Sequence, residues 1–223
     1  MNSFFLALIV LALLPAAPQA PDIRPSAEEV ARLLQKKYET IHDFSASFTH
    51  AYEGGVLRKK LVERGTVLIK KPGMMRWTYT SPERKEFVSD GRKLYSYVPE
   101  DKQVIVSSIP ADDATNTPVL FLAGKGNLAR DFTPSLVELP EAGPDAYALK
   151  LVPKRSQRDY DWLVVLVDRA TFRLDGLVTI DAQGGRSAFT FTNLKENVEL
   201  PDKDFVFKIP RGVEVVTDAA RSR

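Results

Sequence analysis

Apolar residues at Val30, Leu33, Leu34, Tyr38 and Ile41 recur at the spacing of one helical face, and Pro25, Ser26 and Glu29 precede them. A serine at that place accepts from an orphan first-turn amide, and a glutamate three residues on closes the box. The pattern therefore predicts an amphipathic helix from Ala27 to Thr40. From Phe44 the period becomes two: Phe44, Ala46 and Phe48 alternate with Ser45 and Ser47. Short strands follow, ended by Glu53-Gly54-Gly55, Lys71-Pro72-Gly73, Ser81-Pro82, Asp90-Gly91, Pro99-Glu100-Asp101, Asp175-Gly176 and Gln183-Gly184-Gly185. Asp90-Gly91 and Asp175-Gly176 read as hairpin turns. Turns at this spacing predict a mainly β chain, an antiparallel sheet or barrel rather than βαβ units. Asp112 to Ala129 break the rhythm and read as a long crossover with a short helix or two.

Several strands carry an unusually bulky face. In Met75-Arg76-Trp77-Thr78-Tyr79-Thr80 the odd positions are large and the even ones polar, so Met75, Trp77 and Tyr79 share one face. Phe87, Tyr95 and Tyr97, and Phe189 with Phe191, extend the pattern. Trp162 to Val167 is apolar on both faces and so needs cover on both. One good helix and one short crossover are little cover for so many strands. The pattern points to a curved sheet whose concave apolar face, under a small lid, is left partly empty and suits an elongated apolar ligand.

Charge and composition remove alternatives. Among 223 residues, 31 are Lys or Arg and 29 Asp or Glu, a net charge of +2, with no basic stripe, so nucleic-acid binding has no electrostatic source. Cysteine is absent, which removes disulfides, thiolate catalysis and thiolate metal sites. The two histidines, His42 and His50, show neither metal-ligand spacing nor a triad order. No nucleophile elbow, HExxH or separated carboxylate pair appears, so no catalytic residue, metal or cofactor is assigned. Asp112-Asp113 reads as a solvated helix start, since adjacent residues do not converge on one point. Arg58-Lys59-Lys60 and Lys70-Lys71 are solvated faces or a docking point for an acidic partner, with Lys71 best placed beside a cavity mouth.

The apolar run Phe4 to Leu14, then Pro15-Ala16-Ala17-Pro18-Gln19-Ala20, reads as a secretory signal peptide. The run is too short for a hydrocarbon core that takes about 20 apolar residues. Cleavage falls after Ala20 or Ala16, leaving one exported domain, residues 21–223.

The segments from Gly65 to Trp77, Ser81-Pro82, and Val88 to Pro99 together resemble the LolA family of periplasmic lipoprotein carriers. Phe44 to Phe48, Asn116-Thr117-Pro118, Asn193 and the run Phe205-Val206-Phe207-Lys208-Ile209-Pro210-Arg211-Gly212-Val213 continue the likeness in order over nearly all of the exported chain. The resemblance implies an incomplete, strongly curved antiparallel half-barrel closed by helices. It further implies that the apolar interior receives the acyl chains of lipoproteins released from the inner membrane, with no reaction catalysed. The expected cavity residues are Met75, Trp77, Tyr79, Phe87, Tyr95, Tyr97, Val164, Phe189 and Phe191, and the expected lid residues Tyr38, Val119 and Leu122. Lys71 and Pro72, with Lys70, fall where family members often carry an arginine before the loop proline that takes part in lid closure. Lysine keeps the charge but not the forked donors, which implies a looser lid. The implied partners are acylated lipoproteins as cargo, an inner-membrane ABC-type releasing complex and an outer-membrane acceptor lipoprotein, with the carrier a monomer. A regulatory module of the same fold that senses lipid or lipoprotein is the alternative.

Overall fold

The computed structural model describes residues 24–54, 60–109, 122, 127–155, 160–180 and 184–217. The signal-peptide segment, the Arg58-Lys59 pair, Asp112-Asp113, Asn116-Thr117-Pro118 and Val119 lie outside the described residues. Helix α1 spans Ala27–Glu39, its first turn capped by Ser26, whose Oγ accepts from the Glu29 amide at 3.1 Å. Glu28 and Glu29 sit at its positive end and Lys36 and Lys37 at its negative end, each matched to the helix dipole. The expected face is the one buried: Val30, Ala31, Leu34 and Tyr38. A second helix, α2 (Leu128–Asp131), follows the crossover.

The strands are β1 (Asp43–Glu53), β2 (Lys60–Lys70), β3 (Met74–Ser81), β4 (Lys85–Asp90), β5 (Lys93–Val98) and β6 (Gln103–Ser108). After the crossover come β7 (Phe132–Val137), β8 (Ala146–Pro153), β9 (Leu163–Asp168), β10 (Leu174–Ile180), β11 (Arg186–Glu196) and β12 (Glu214–Thr217). All join one open, curved sheet in the order β12-β6-β5-β4-β3-β2-β1-β11-β10-β9-β8-β7. Neighbours are antiparallel except the edge pair β12–β6, which is parallel. Consecutive hairpins build each half, and β1 joins the halves by pairing with both β2 and β11.

Each face has its own core. On the inner face α1 packs over residues of β1–β3 and β8–β11 in one large apolar cluster. A smaller cluster on the outer face holds Ala148, Val164, Leu166, Val178 and Ala188, covered by Val137, Leu139, Ala142 and Trp162. Strand β9 thus has the two-sided cover that its uninterrupted apolar run requires.

The outer face of β3–β6 is covered by the chain after β11. The buried Asp43 carboxylate accepts from the amides of Val198 (2.7 Å) and Leu200 (3.2 Å) and starts this strap. Phe205 is fully buried beneath it, and Arg76 donates to the carbonyls of Asp204 (2.6 Å) and Val206 (3.0 Å).

Asp175-Gly176 is not a hairpin turn. It lies inside β10 at a register shift, and the β9–β10 connection is made by Asp168 to Phe172. A Cβ on Gly176 would stand 2.6 Å from the Phe189 carbonyl oxygen, so glycine serves close strand approach here rather than a turn. Asp90-Gly91 is a turn: Gly91 has φ +90°, and Asp90 Oδ1 accepts from the amides of Arg92 and Lys93, both at 2.8 Å.

Candidate functional site

Residues directly opposite in an antiparallel ladder share a face. On β2 and β3, Ile69 opposes Met75, Val67 opposes Trp77 and Gly65 opposes Tyr79; Trp77 in turn opposes Phe87 on β4. Across β1, Phe48 opposes Gly65 on one side and Phe191 on the other, and His50 opposes Phe189. These pairings bring Met75, Trp77, Tyr79, Phe87, Phe189 and Phe191 together on the inner face around Phe48. The Phe48 ring meets Trp77 at 5.1 Å and Tyr79 at 4.8 Å, both edge-on, and Trp77 meets Phe189 at 5.4 Å. Gly65 makes this possible: a Cβ there would lie 2.8 Å from the Phe48 ring and 2.1 Å from the Thr78 carbonyl oxygen. Met75, Trp77, Tyr79 and Phe191 are all at most 7% exposed, so this tract is covered rather than standing partly empty.

Three expected cavity residues lie on the other face. Ser96, not Tyr95 or Tyr97, opposes Phe87, so both tyrosines turn outward and meet Phe207 of the strap, Tyr95 stacked at 5.4 Å and Tyr97 tilted at 5.6 Å. Leu94 is the β5 residue that packs on the inner cluster. Every position from Leu94 to Val98 except Ser96 is apolar or aromatic, so alternation could not settle that strand's face, and a slip of one residue inverts it. Val164 belongs to the outer cluster, while Leu163, Val165 and Val167 face inward. Phe44, Phe48, Leu149, Leu151 and Leu177 also line the inner face, beyond the expected site residues. The β1 alternation marks Phe44 and Phe48; the leucines need the pairing of distant strands.

Over one end of the tract two side chains form a latch. Tyr38, 5% exposed on α1, donates its hydroxyl to the Leu122 carbonyl, and Leu122 is fully buried. Lys71 Nζ donates to the Tyr38 carbonyl and sits 3.6 Å from the centre of the Tyr38 ring. Burial lowers the Lys71 pKa to about 8, opposed by the Glu39 carboxylate. Pro72 is exposed beside it and follows a cis peptide bond. Lys70 stands apart: its ammonium bonds the Leu200 carbonyl (2.7 Å) and the Asp202 carboxylate (2.6 Å) and so holds the strap, not the lid.

At the other end of the tract lies a polar group. Glu63, 3% exposed, accepts from His50 Nδ1 at 2.9 Å through Oε2 and pairs with Lys85 Nζ at 2.5 Å through Oε1. The His50 ring stacks on Phe189 at 4.1 Å, and Lys85 lies 4.4 Å from the centre of the Tyr79 ring. Burial lowers the His50 pKa, and the Glu63 carboxylate opposes that shift. The register places all three inward, because the alternation of Phe44, Ala46 and Phe48 continues to His50. Among the described residues no group of three or more His, Asp or Glu side chains forms a metal site, and no helix is long and apolar enough to cross a membrane.

The family profile of the outer membrane lipoprotein carrier protein LolA matches residues 39–208. The chain belongs to the LolA family. An outer-membrane lipoprotein carrier protein of Chromohalobacter salexigens is 30% identical over 98% of this chain and 99% of its own. One of Hahella chejuensis is 30% identical over 92% of this chain and 95% of its own. An uncharacterized conserved protein of Thermus thermophilus superposes with TM-score 0.51 at 15% identity, covering 86% of this chain and 98% of that one, a likeness of fold alone. Within the LolA family frame, the aromatic tract and the Tyr38–Lys71 latch are this chain's inner face and cover.

Proposed function

We propose that this protein is a periplasmic carrier whose inner face takes up the acyl chains of lipoproteins released from the inner membrane and conveys them to the outer membrane. The observation that carries this reading is the continuous tract of Phe48, Met75, Trp77, Phe189 and Phe191 beneath helix α1, in a chain of the lipoprotein-carrier family. An acyl chain of about 14 methylenes costs on the order of 11 kcal/mol to expose to water at about 0.8 kcal/mol each, so an acylated protein does not cross an aqueous space unaided. In the closed arrangement the rings fill one another's space, and loading displaces α1 and Leu122. The covered tract and the acyl chain thus compete for the same surface. Release becomes favourable wherever an acceptor covers the chains better.

An ABC-type releasing complex supplies cargo in this reading and an outer-membrane lipoprotein receives it. The carrier contributes binding and no chemical step. The N-terminal apolar segment supports export as the route to the periplasm.

The experiment is intact-complex mass spectrometry of protein secreted through its own N-terminal segment and purified without detergent. A co-purifying acylated protein, lost in Trp77→Asp, is the expected result. Free lipid or nothing in the wild type, together with failure to release lipoproteins from inner-membrane vesicles carrying the releasing complex, refutes the reading.

A further inference from the structure

Among the described residues, the inner face carries two buried polar atoms with no partner: His50 Nε2 and Trp77 Nε1. A native interior rarely leaves such atoms unpaired without a reason, and here the two are of opposite sense. Glu63 accepts a hydrogen bond from His50 Nδ1–H, so in the neutral ring Nε2 is a bare acceptor, and the indole Nε1–H is a donor. Both rings pack on Phe189, His50 at 4.1 Å and Trp77 at 5.4 Å. The imidazole is fixed twice, by the Glu63 carboxylate and by its stack. Glu63 is in turn occupied by Lys85, so it holds the tautomer without being available to a ligand.

We propose that these atoms form a polar subsite for the linkage region of an acylated ligand, resting on the carrier reading above. An amide N–H of the acylated terminus donates to His50 Nε2, and an acyl carbonyl oxygen accepts from Trp77 Nε1. The hydrocarbon then runs from this end along Phe48, Phe191 and Met75 toward α1. An apolar tract alone binds any chain of suitable length, and this pair adds a preference for acyl groups joined through an amide. An ester oxygen in place of the N–H brings a lone pair against Nε2 and loses the bond.

The test compares N-palmitoylglycine methyl ester with its analogue in which oxygen replaces the amide N–H, by calorimetric titration of the whole protein. Wild type should bind the amide about three- to tenfold more tightly, the worth of one hydrogen bond. His50→Phe keeps the stack on Phe189 and removes the acceptor. It should bind both probes with a ratio near one. Nuclear magnetic resonance of the wild type provides a readout without mutation: the amide probe should shift His50 Nε2 and the Trp77 indole N–H, and the ester only the indole. The groups facing His50 are Glu63 of β2, Tyr79 of β3 and Lys85 of β4, with β11 contributing Phe189. Acidification that protonates His50 should therefore abolish the amide preference in the wild type. Equal binding of the two probes by wild type, or an unchanged ratio in His50→Phe, overturns the subsite and leaves the carrier reading intact. Binding of neither probe by any form overturns both.

Discussion

Deleting the Tyr38 hydroxyl isolates one contact of the latch. Tyr38→Phe keeps the ring, so the Lys71 ammonium retains its face-on contact at 3.6 Å, and it keeps the Tyr38 carbonyl to which Lys71 donates. What disappears is the hydroxyl's bond to the Leu122 carbonyl, at a place where Tyr38 is 5% exposed and Leu122 fully buried. Losing a hydrogen bond at so buried a place costs about 1–3 kcal/mol. If closed and open forms compete, that destabilises the closed one by a factor of about 5 to 150. Hydrogen exchange should show this locally. Amides of α1 should exchange faster by about that factor, while those of β8–β10 keep their rates. The apparent dissociation constant of a fluorescent fatty-acyl probe should fall with the same factor until opening no longer limits binding. Equal acceleration in α1 and in the distant strands, or local opening with unchanged probe affinity, would refute the idea that the latch governs access to the inner face.

Three further outcomes follow from particular contacts. Gly65→Ala drives a Cβ to 2.1 Å from the Thr78 carbonyl oxygen and into the Phe48 ring, so thermal unfolding should show a loss of about 3 kcal/mol or more, with weaker acyl-probe binding. Lys71 has a folded pKa of about 8, below the ordinary lysine value of 10.5, so between these pH values the unfolded chain holds more protons. The contribution of this group to stability therefore rises with pH across that window, and the difference in urea midpoint between wild type and Lys71→Met should grow in favour of wild type from pH 8 to 10.5. Val164→Thr and Val165→Thr each bury a hydroxyl and should cost about 1–3 kcal/mol, read from denaturant curves. Only Val165→Thr should alter acyl-probe affinity, because Val164 packs in the outer cluster.

The parts legible in the chain were those governed by neighbours along it. The capping serine, the spacing of Val30, Leu34 and Tyr38, and the alternation through Met75, Trp77 and Tyr79 are local signals, and the helix and the inner face of β3 followed from them. The same logic failed where both phases are apolar. Leu94 to Val98 fits either orientation by pattern, and its phase comes from Phe87 pairing with Ser96 and from the strap that offers Phe207 to the tyrosines. Asp175-Gly176 has turn composition, yet the glycine answers a crowded neighbour on β11.

His50 illustrates the division most sharply. Its place on the inner face is a matter of counting by two from Phe44, and the residue types alone made it one of two ordinary histidines. Its chemistry depends on Glu63 and Lys85, 13 and 35 residues away, and on Phe189 from the far half of the chain. The periodicities, most of the turns, the absence of thiol chemistry and the family could be read along the chain, because short-range sterics, composition and ordered motifs carry them. The face that each ambiguous strand presents, and which of the described buried atoms lack partners, emerge only once the chain is folded. Those are properties of strand pairing over long separations, where a one-residue change of register exchanges the two faces of the sheet.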